Sequence, residues 1–392
     1  MGLLPPPDVR AVDPVLMQDY PAVADLAKRA HARIPFFAWE YLDSGTGAEY
    51  ARDRNIEALQ RYTFTPKFMR GEFQPQIETT LFGQTFAAPF GIAPVGLTGL
   101  MWPGAELTLA KVAGQRRIPF SLSTVATETP ESIGPLAGDM SWFQLYPPRE
   151  PEMRKDLLKR AADSGFTTCL VTADVPGASM RERQKRAEVA VPPRQTIKTY
   201  VRAAIRPAWA LATLQHGLPR FRMLEKYASV VDMQQASRFV SQKLGGTLSW
   251  DYLDAVRQEW PGNLVVKGIM DVDDARECVA RGMDGIVVSN HGARQFDGAR
   301  ASIDALAEIA PVVGDDLTIL FDSGVRGGLD ICRALALGAD FAMLGRAFIY
   351  SVAALGERGP GHLIDLLSED MRSCMTNMGC SRLAELSERL DR

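Results

Sequence analysis

Histidine is scarce in this chain of 392 residues, with four in all, and cysteine is nearly as rare, with five. The cysteines (Cys169, Cys278, Cys332, Cys374 and Cys380) are odd in number, scattered and without CxxC spacing. That excludes a disulfide framework, gives no zinc site or other metal, and fits a reducing cytoplasm. No uncharged apolar run approaches the ~20 residues needed to span a bilayer. The opening "MGLLPPPDVR" is too short and too proline-rich for a signal core, so export is not expected. Charge of one sign is also missing: 44 basic against 47 acidic residues leave a formal net charge of −3. No global basic field recruits nucleic acid, and any positive patch is local. Finally, no early glycine-rich turn of the dinucleotide-binding kind appears.

Short apolar runs are what the chain has in quantity. From residue 88 onward, "APFGIAPV", "IPFSLST", "SWFQLY", "TTCLVTAD", "NLVVKG", "DGIVVSN", "LTILFDSG" and "DFAMLGR" alternate with amphipathic stretches such as "GAELTLAKVAGQRR" and "PEMRKDLLKRAADSG". Such alternation implies parallel strands joined by crossover helices, and eight of them are the number that closes an α/β (β/α)8 TIM barrel. A doubly wound sheet is the competitor, usually with fewer strands and with the turn this chain lacks. Residues 1–87 read as helices and a hairpin packed on a barrel spanning 88–392. Within the barrel, 185–248 is an oversized connection after the fourth strand.

A TIM barrel gathers its chemistry at the C-terminal strand ends, where eight loops converge. In strand order the polar residues there are Ser123; Gln144 and Tyr146; Thr172 and Asp174; Lys267; Ser289, His291 and Arg294; Asp322 and Arg326; and Gly345–Arg346. Any one of them also suits a helix cap; the set is harder to explain that way. "DSGVRGG" (322–328) and "LGR" (344–346) end the last two strands, the usual phosphate position of the fold. Gly324 and Gly345 permit close backbone approach, and Arg326 and Arg346 add charge-assisted bonds. Glycine-rich turns beside surface arginines are the alternative.

"SNHGARQFDG" (289–298), "VVKG", "WFQLY", "DSGVRGGLD" and "LGRAF" together resemble the FMN-dependent L-2-hydroxy acid dehydrogenase and oxidase family, over nearly the whole chain. The resemblance implies FMN as the phosphate bearer. It lines the flavin with Pro94, Val95, Gly96, Ser123, Gln144, Thr172 and Ser289, and puts Lys267 near N1 and O2. It puts Asp322 on the ribityl chain, and Gly324, Arg326, Gly345 and Arg346 at the phosphate. It makes His291 the base, Asp174 its carboxylate partner, Arg181 and Arg294 the clamp on a substrate carboxylate, Tyr41 a further bond to that carboxylate, and Tyr146 a bond to the substrate oxygen. By the same resemblance the chain is a homo-oligomer, a tetramer.

Val95, Gly96 and Val125 depart from the plant glycolate oxidase pattern and resemble the bacterial respiratory L-lactate dehydrogenase and mandelate dehydrogenase branches. L-lactate as substrate and quinone as acceptor are therefore expected. An oxygen-using oxidase, a mandelate-type dehydrogenase and a non-enzymatic FMN-binding scaffold are the rivals. Val125 leaves room for side chains larger than methyl, and Phe296, where the signature usually has Leu, bears on substrate fit.

Between Glu188 and Glu225 there is no acidic residue, while Arg194, Lys198, Arg202, Arg206, Arg220 and Arg222 accompany Tyr200, Trp209, Leu211, Leu214 and Phe221. A basic segment with apolar faces suits a membrane surface. We therefore expect 189–224 to bind the inner face of the cell membrane peripherally; a solvated lid or a subunit contact is the alternative.

Overall fold

The structure, a computed structural model, describes residues 12–190, 193, 196–228, 236–245 and 248–391. The opening stretch 1–11 and Arg194 lie outside the described residues.

Eight parallel strands close into a barrel in chain order: β3 (Phe90–Ile92), β4 (Phe120–Ser123), β5 (Ser141–Leu145), β6 (Thr168–Thr172), β7 (Asn263–Ile269), β8 (Gly285–Val288), β9 (Thr318–Phe321) and β10 (Phe341–Leu344), with β10 pairing back to β3. Seven lie within one of the eight apolar runs, and β7 extends one residue beyond "NLVVKG", to Ile269. Pro130 and Pro151 open crossover helices at positions where no amide donor is needed, and Asp271 caps another through its side chain.

Strand geometry alternates side chains between two faces. One set, including Phe143, Cys169, Val266, Ile286, Ile319 and Ala342, is buried beneath the helices. The other points into the barrel and packs as Trp142, Leu170, Val265, Val287, Leu320, Phe341 and Met343. The hairpin β1 (Thr79–Leu81) and β2 (Gln84–Phe86) adds Leu81 and Phe86 to this inner cluster, plugging the end away from the strand C-termini. Phe86 meets Trp142 and Phe341 edge-on at 6.0 and 5.5 Å.

Before the hairpin come α1 (Pro14–Asp19), α2 (Val23–Arg33), α3 (Phe36–Asp43) and α4 (Tyr50–Gln60). Arg29 and Arg33 of α2 donate to the carbonyls of Ala354 and Ala353, groups that the last turn of helix Arg346–Leu355 leaves without helical partners. Arg183, after β6, bonds Glu40, Asp43 and Glu49, so α3 is anchored over the strand C-termini. The connection from β6 to β7 carries helices Ile197–Ala204 and Pro207–His216 on the outside.

Candidate active site

The inward face of each strand turns from apolar to polar over its last residues. Trp142 gives way to Gln144, Leu170 to Thr172, Val265 to Lys267, Val287 to Ser289 and Leu320 to Asp322, each two residues on. The polar ends surround a cavity of about 560 Å3. Its wall includes Tyr41, Pro94, Val95, Gly96, Gln144, Tyr146, Thr172, Arg181, Lys267, His291, Arg294, Asp322, Gly324, Arg326, Gly345 and Arg346. Ser123, Asp174 and Ser289 stand just behind the wall and brace those on it.

His291 Nδ1 lies 2.8 Å from Asp174 Oδ1, and Nε2 lies 3.3 Å from the Tyr146 hydroxyl. An ionised carboxylate only accepts, so Nδ1 carries the hydrogen and Nε2 turns its lone pair to the cavity. Burial lowers the His291 pKa against the opposing pull of Asp174, with Lys267 and Arg181 adding to the depression. Burial acts to raise Asp174, but His291 and Lys267 outweigh it and hold the carboxyl below its usual range. The resting pair is thus neutral imidazole beside carboxylate, with a base facing the cavity. Tyr146 is pushed up to about 12 by burial and stays protonated. The loop is held in an uncommon shape, with φ of 60° at His291 and 61° at Ala293. Opposite, Gly268 has φ +104°, and a Cβ there would sit 2.5 Å from the Asp174 carboxyl carbon.

Arg294 Nη1 donates to the carbonyls of Tyr41 and Ser44 at 2.9 and 3.1 Å, and its guanidinium lies 5.1 Å from the Tyr41 ring centre. Burial and then Arg181 lower its pKa to about 9. Burial likewise lowers Arg346, which bonds the carbonyls of Ser44 and Gly292. Among the described residues these cations bond neutral acceptors and no carboxylate, an electrostatic deficit that an anion in the cavity would relieve.

Lys267 Nζ reaches Asp322 Oδ2 at 3.0 Å and Ser289 Oγ at 2.8 Å. Burial acts against its charge, but Asp322 and Asp174 more than compensate, so its pKa is raised. Ser123 donates to Gln144 Oε1 and Gln144 Nε2 donates to Thr172, both at 2.7 Å. At Gly96 a Cβ would stand 2.5 Å from Val125 Cγ2, leaving a flat backbone surface beside the cavity. A fixed cation, an oriented amide, a flat glycine stretch and arginines on the last two loops together fit a flat, electron-accepting heterocycle that bears a phosphate.

Several residues that serve the site are absent from the strand-end pattern. Asn55 of α4 and Asn290 exchange two amide hydrogen bonds, and Asn290 Oδ1 also accepts from the Ala293 amide. Ser323 links Asp322 to the Gly292 amide, and Gln295 bonds Arg181. Asn290 and Gln295 lie inside "SNHGARQFDG", where the signal was available. Asp297 of the same stretch accepts from the amides of Ala48 and Ala51, fastening the start of α4. Phe296 is 67 % exposed and is not on the cavity wall, so the expected bearing on substrate fit is corrected: its ring lies beside Gly298.

The barrel and this strand-end cavity define a flavin-dependent oxidoreductase. Residues 30–392 match the family model of FMN-dependent dehydrogenases, and the chain belongs to that family; its cofactor is FMN. The chain is 39 % identical over 367 residues to an L-lactate dehydrogenase of Stenotrophomonas maltophilia (strain K279a), covering 93 % of this chain and 97 % of that protein. It is 38 % identical to an L-lactate dehydrogenase of Acinetobacter baylyi, covering 93 % and 95 %. Among solved structures it is similar to the monotopic membrane protein (S)-mandelate dehydrogenase, with a TM-score of 0.89 and 33 % identity over 94 % of this chain and 98 % of that one. It is also similar to a mandelate oxidase, with a TM-score of 0.81 and 31 % identity over 95 % and 98 %.

Proposed function

We propose that this FMN-dependent dehydrogenase oxidises a short L-2-hydroxy acid, L-lactate in the first place, to the 2-oxo acid and passes the electrons to a membrane quinone. The observation that carries the first half is the His291–Asp174 pair sharing one cavity with two arginines that lack carboxylate partners. Arg181 and Arg294 clamp the substrate carboxylate with help from the Tyr41 hydroxyl, while Tyr146 and His291 Nε2 bond the substrate hydroxyl. His291 takes a proton there, and Asp174 balances the imidazolium that results. FMN, when bound, would supply the acceptor for the electron pair and for the second hydrogen, that of the substrate α-carbon, whose loss leaves the 2-oxo acid. Lys267 offsets negative charge at the pyrimidine edge of its ring. Gln144 and Thr172 would bond that ring beside Pro94–Gly96. Asp322 would hold the ribityl chain, and Gly324, Arg326, Gly345 and Arg346 would hold the phosphate. Val125 on the wall supports a second reading, in which larger apolar side chains of the mandelate kind also fit.

Arg294→Lys is expected to weaken carboxylate binding by roughly 10- to 100-fold and to slow flavin reduction, since one ammonium cannot reproduce a planar fork. Stopped-flow reduction across a hydroxy acid series checks this, and unchanged kinetics remove Arg294 from the clamp.

The second half rests on the insertion. Ile197, Tyr200, Val201, Ile205, Leu211, Leu214 and Leu218 are exposed there beside Lys198, Arg202 and Arg220. The expectation for this surface is corrected at several residues: Trp209 and Phe221 are buried, and Lys198, Arg220 and Arg222 are paired with Glu188, Glu225 and Glu128. Phe221 and Val189 of the insertion line the same cavity as His291, so one element faces outward with an apolar, basic surface and inward onto the chemistry. Among the described residues no helix is long and apolar enough to cross a membrane, and the contact we propose is a peripheral one through this surface.

Anionic liposomes should sediment the enzyme at low salt and release it as salt rises, because screening shortens to ~10 Å at 0.1 M. Neutral vesicles should bind less. After anaerobic reduction by L-lactate, quinone in those vesicles should reoxidise the flavin faster than dissolved oxygen. Enzyme that stays in the supernatant rules out the membrane reading, and faster reoxidation by air makes the protein an oxidase.

A further inference from the structure

Two arginines stand two residues apart after β6 and are treated in opposite ways. Arg183 is surrounded by acids, with Glu40, Asp43 and Glu49 all within 3.1 Å. Among the described residues Arg181, which lines the cavity, has only neutral acceptors. Its Nε donates to Ser179 Oγ at 2.9 Å and to the Arg294 carbonyl at 3.3 Å, and its Nη2 donates to Gln295 Oε1 at 2.6 Å. Its backbone sits at φ 41°, an uncommon conformation for a non-glycine residue, with its amide on Thr46 Oγ1. The Gln295 amide is itself oriented. Its Nε2 donates to the Gly177 carbonyl at 3.4 Å, and its Oε1 also accepts from Ser179 Oγ at 3.3 Å. Gln295 therefore ties the loop after β6 to the loop after β8, and so ties one clamp arginine to the loop carrying the other.

We infer that Gln295 is a positioning residue that aims Arg181 at the substrate carboxylate while leaving its charge uncompensated. The inference rests on the reading of Arg181 and Arg294 as the carboxylate clamp. A carboxylate at position 295 would hold the guanidinium equally well, but it would neutralise the cation that the substrate needs. An apolar side chain would spare the charge and lose the aim. The neutral carbonyl oxygen does both jobs, with a donor behind it to fix which way it points.

The inference ranks three forms of the holoenzyme by their affinity for pyruvate, measured by calorimetry with oxidised enzyme and without turnover. Wild type should bind best, Gln295→Met about tenfold more weakly, and Gln295→Glu about a hundredfold more weakly, in keeping with loss of one neutral bond and with internal pairing of a charge. Binding of pyruvamide, which has no carboxylate, should be nearly the same in all three, a pattern that a general loosening of the loop would not produce. In turnover the change should fall on KM more than on kcat. Gln295→Glu keeps size and polarity, so it reports even if the methionine variant folds poorly. If Gln295→Glu binds pyruvate as well as wild type does, or if pyruvamide binding falls in parallel, Gln295 has no such role. If wild type itself prefers pyruvamide to pyruvate, the clamp reading fails before the Gln295 inference is reached.

Discussion

His291→Ala is expected to purify with FMN bound and to lose at least ~10²-fold in the rate at which a 2-hydroxy acid reduces the flavin, the usual scale for a positioned general base. His291 stands on the cavity wall, and its partners are Asp174, Tyr146 and, through its backbone amide, Ser289. Asp322, Lys267 and the arginine loops do not depend on the imidazole, so cofactor retention and loss of reduction should separate. Anaerobic stopped-flow at 450 nm, together with the flavin content of the purified variant, measures both. Reduction at a near wild-type rate would move the base elsewhere, and loss of FMN would show that the loop, not the imidazole, had been tested. The loop holds three successive positive φ values, at His291, Gly292 and Ala293. Its shape is kept by Asn290, Ser323 and Arg346 rather than by the ring, which favours clean separation.

What could be read from the chain and what could not divides along a physical line. The barrel strands were legible because a parallel strand covered on both faces is a continuous apolar run, and eight such runs stand between helices. His291, Asp174, Lys267 and Asp322 were legible because barrel topology sends every strand end to one face. Partners from outside the barrel were not. Asn55 and Asn290 are 235 residues apart, and nothing local to "DRNIEAL" marks an asparagine that will brace the His291 loop. Which face of an insertion helix turns inward was equally hidden. Trp209 is buried against Phe37, 5.7 Å away and edge-on, with its Nε1 on the Leu100 carbonyl, whereas Leu211 and Leu214 of the same helix are exposed. An amphipathic stripe tells that one side is covered, and only the docking surface tells which aromatic covers it. Phe296 was hidden for a related reason: it turns to solvent although Arg294 and Gln295 just before it both line the cavity, so its place in the signature gave no guide to its direction.

Asp174→Asn should produce two changes of opposite sense in the pH profile of flavin reduction. In the native enzyme burial holds the His291 pKa below 6.5, while the Asp174 carboxylate pulls it upward. Removing that negative charge removes the upward pull. The His291 proton should therefore come off at lower pH, and the acid limb of the profile should move to lower pH. The plateau should nevertheless fall, because the imidazolium formed when His291 takes the substrate proton loses its charged partner. An ionised hydrogen bond of about 1.5–3 kcal/mol corresponds to a loss of roughly 10- to 100-fold in rate. Asparagine also offers an N–H that can face Nδ1, favouring the tautomer whose Nε2 carries hydrogen and cannot act as base; that deepens the loss without moving the limb. Among the described residues Asp174 Oδ2 is buried without a hydrogen-bond partner, so no donor at that oxygen fixes the orientation of the new amide. Reduction rates taken across pH 4.5 to 9 under argon decide the matter. A limb displaced to higher pH, or a plateau equal to wild type, would mean that Asp174 neither charges nor orients His291 and that its 2.8 Å contact is structural only.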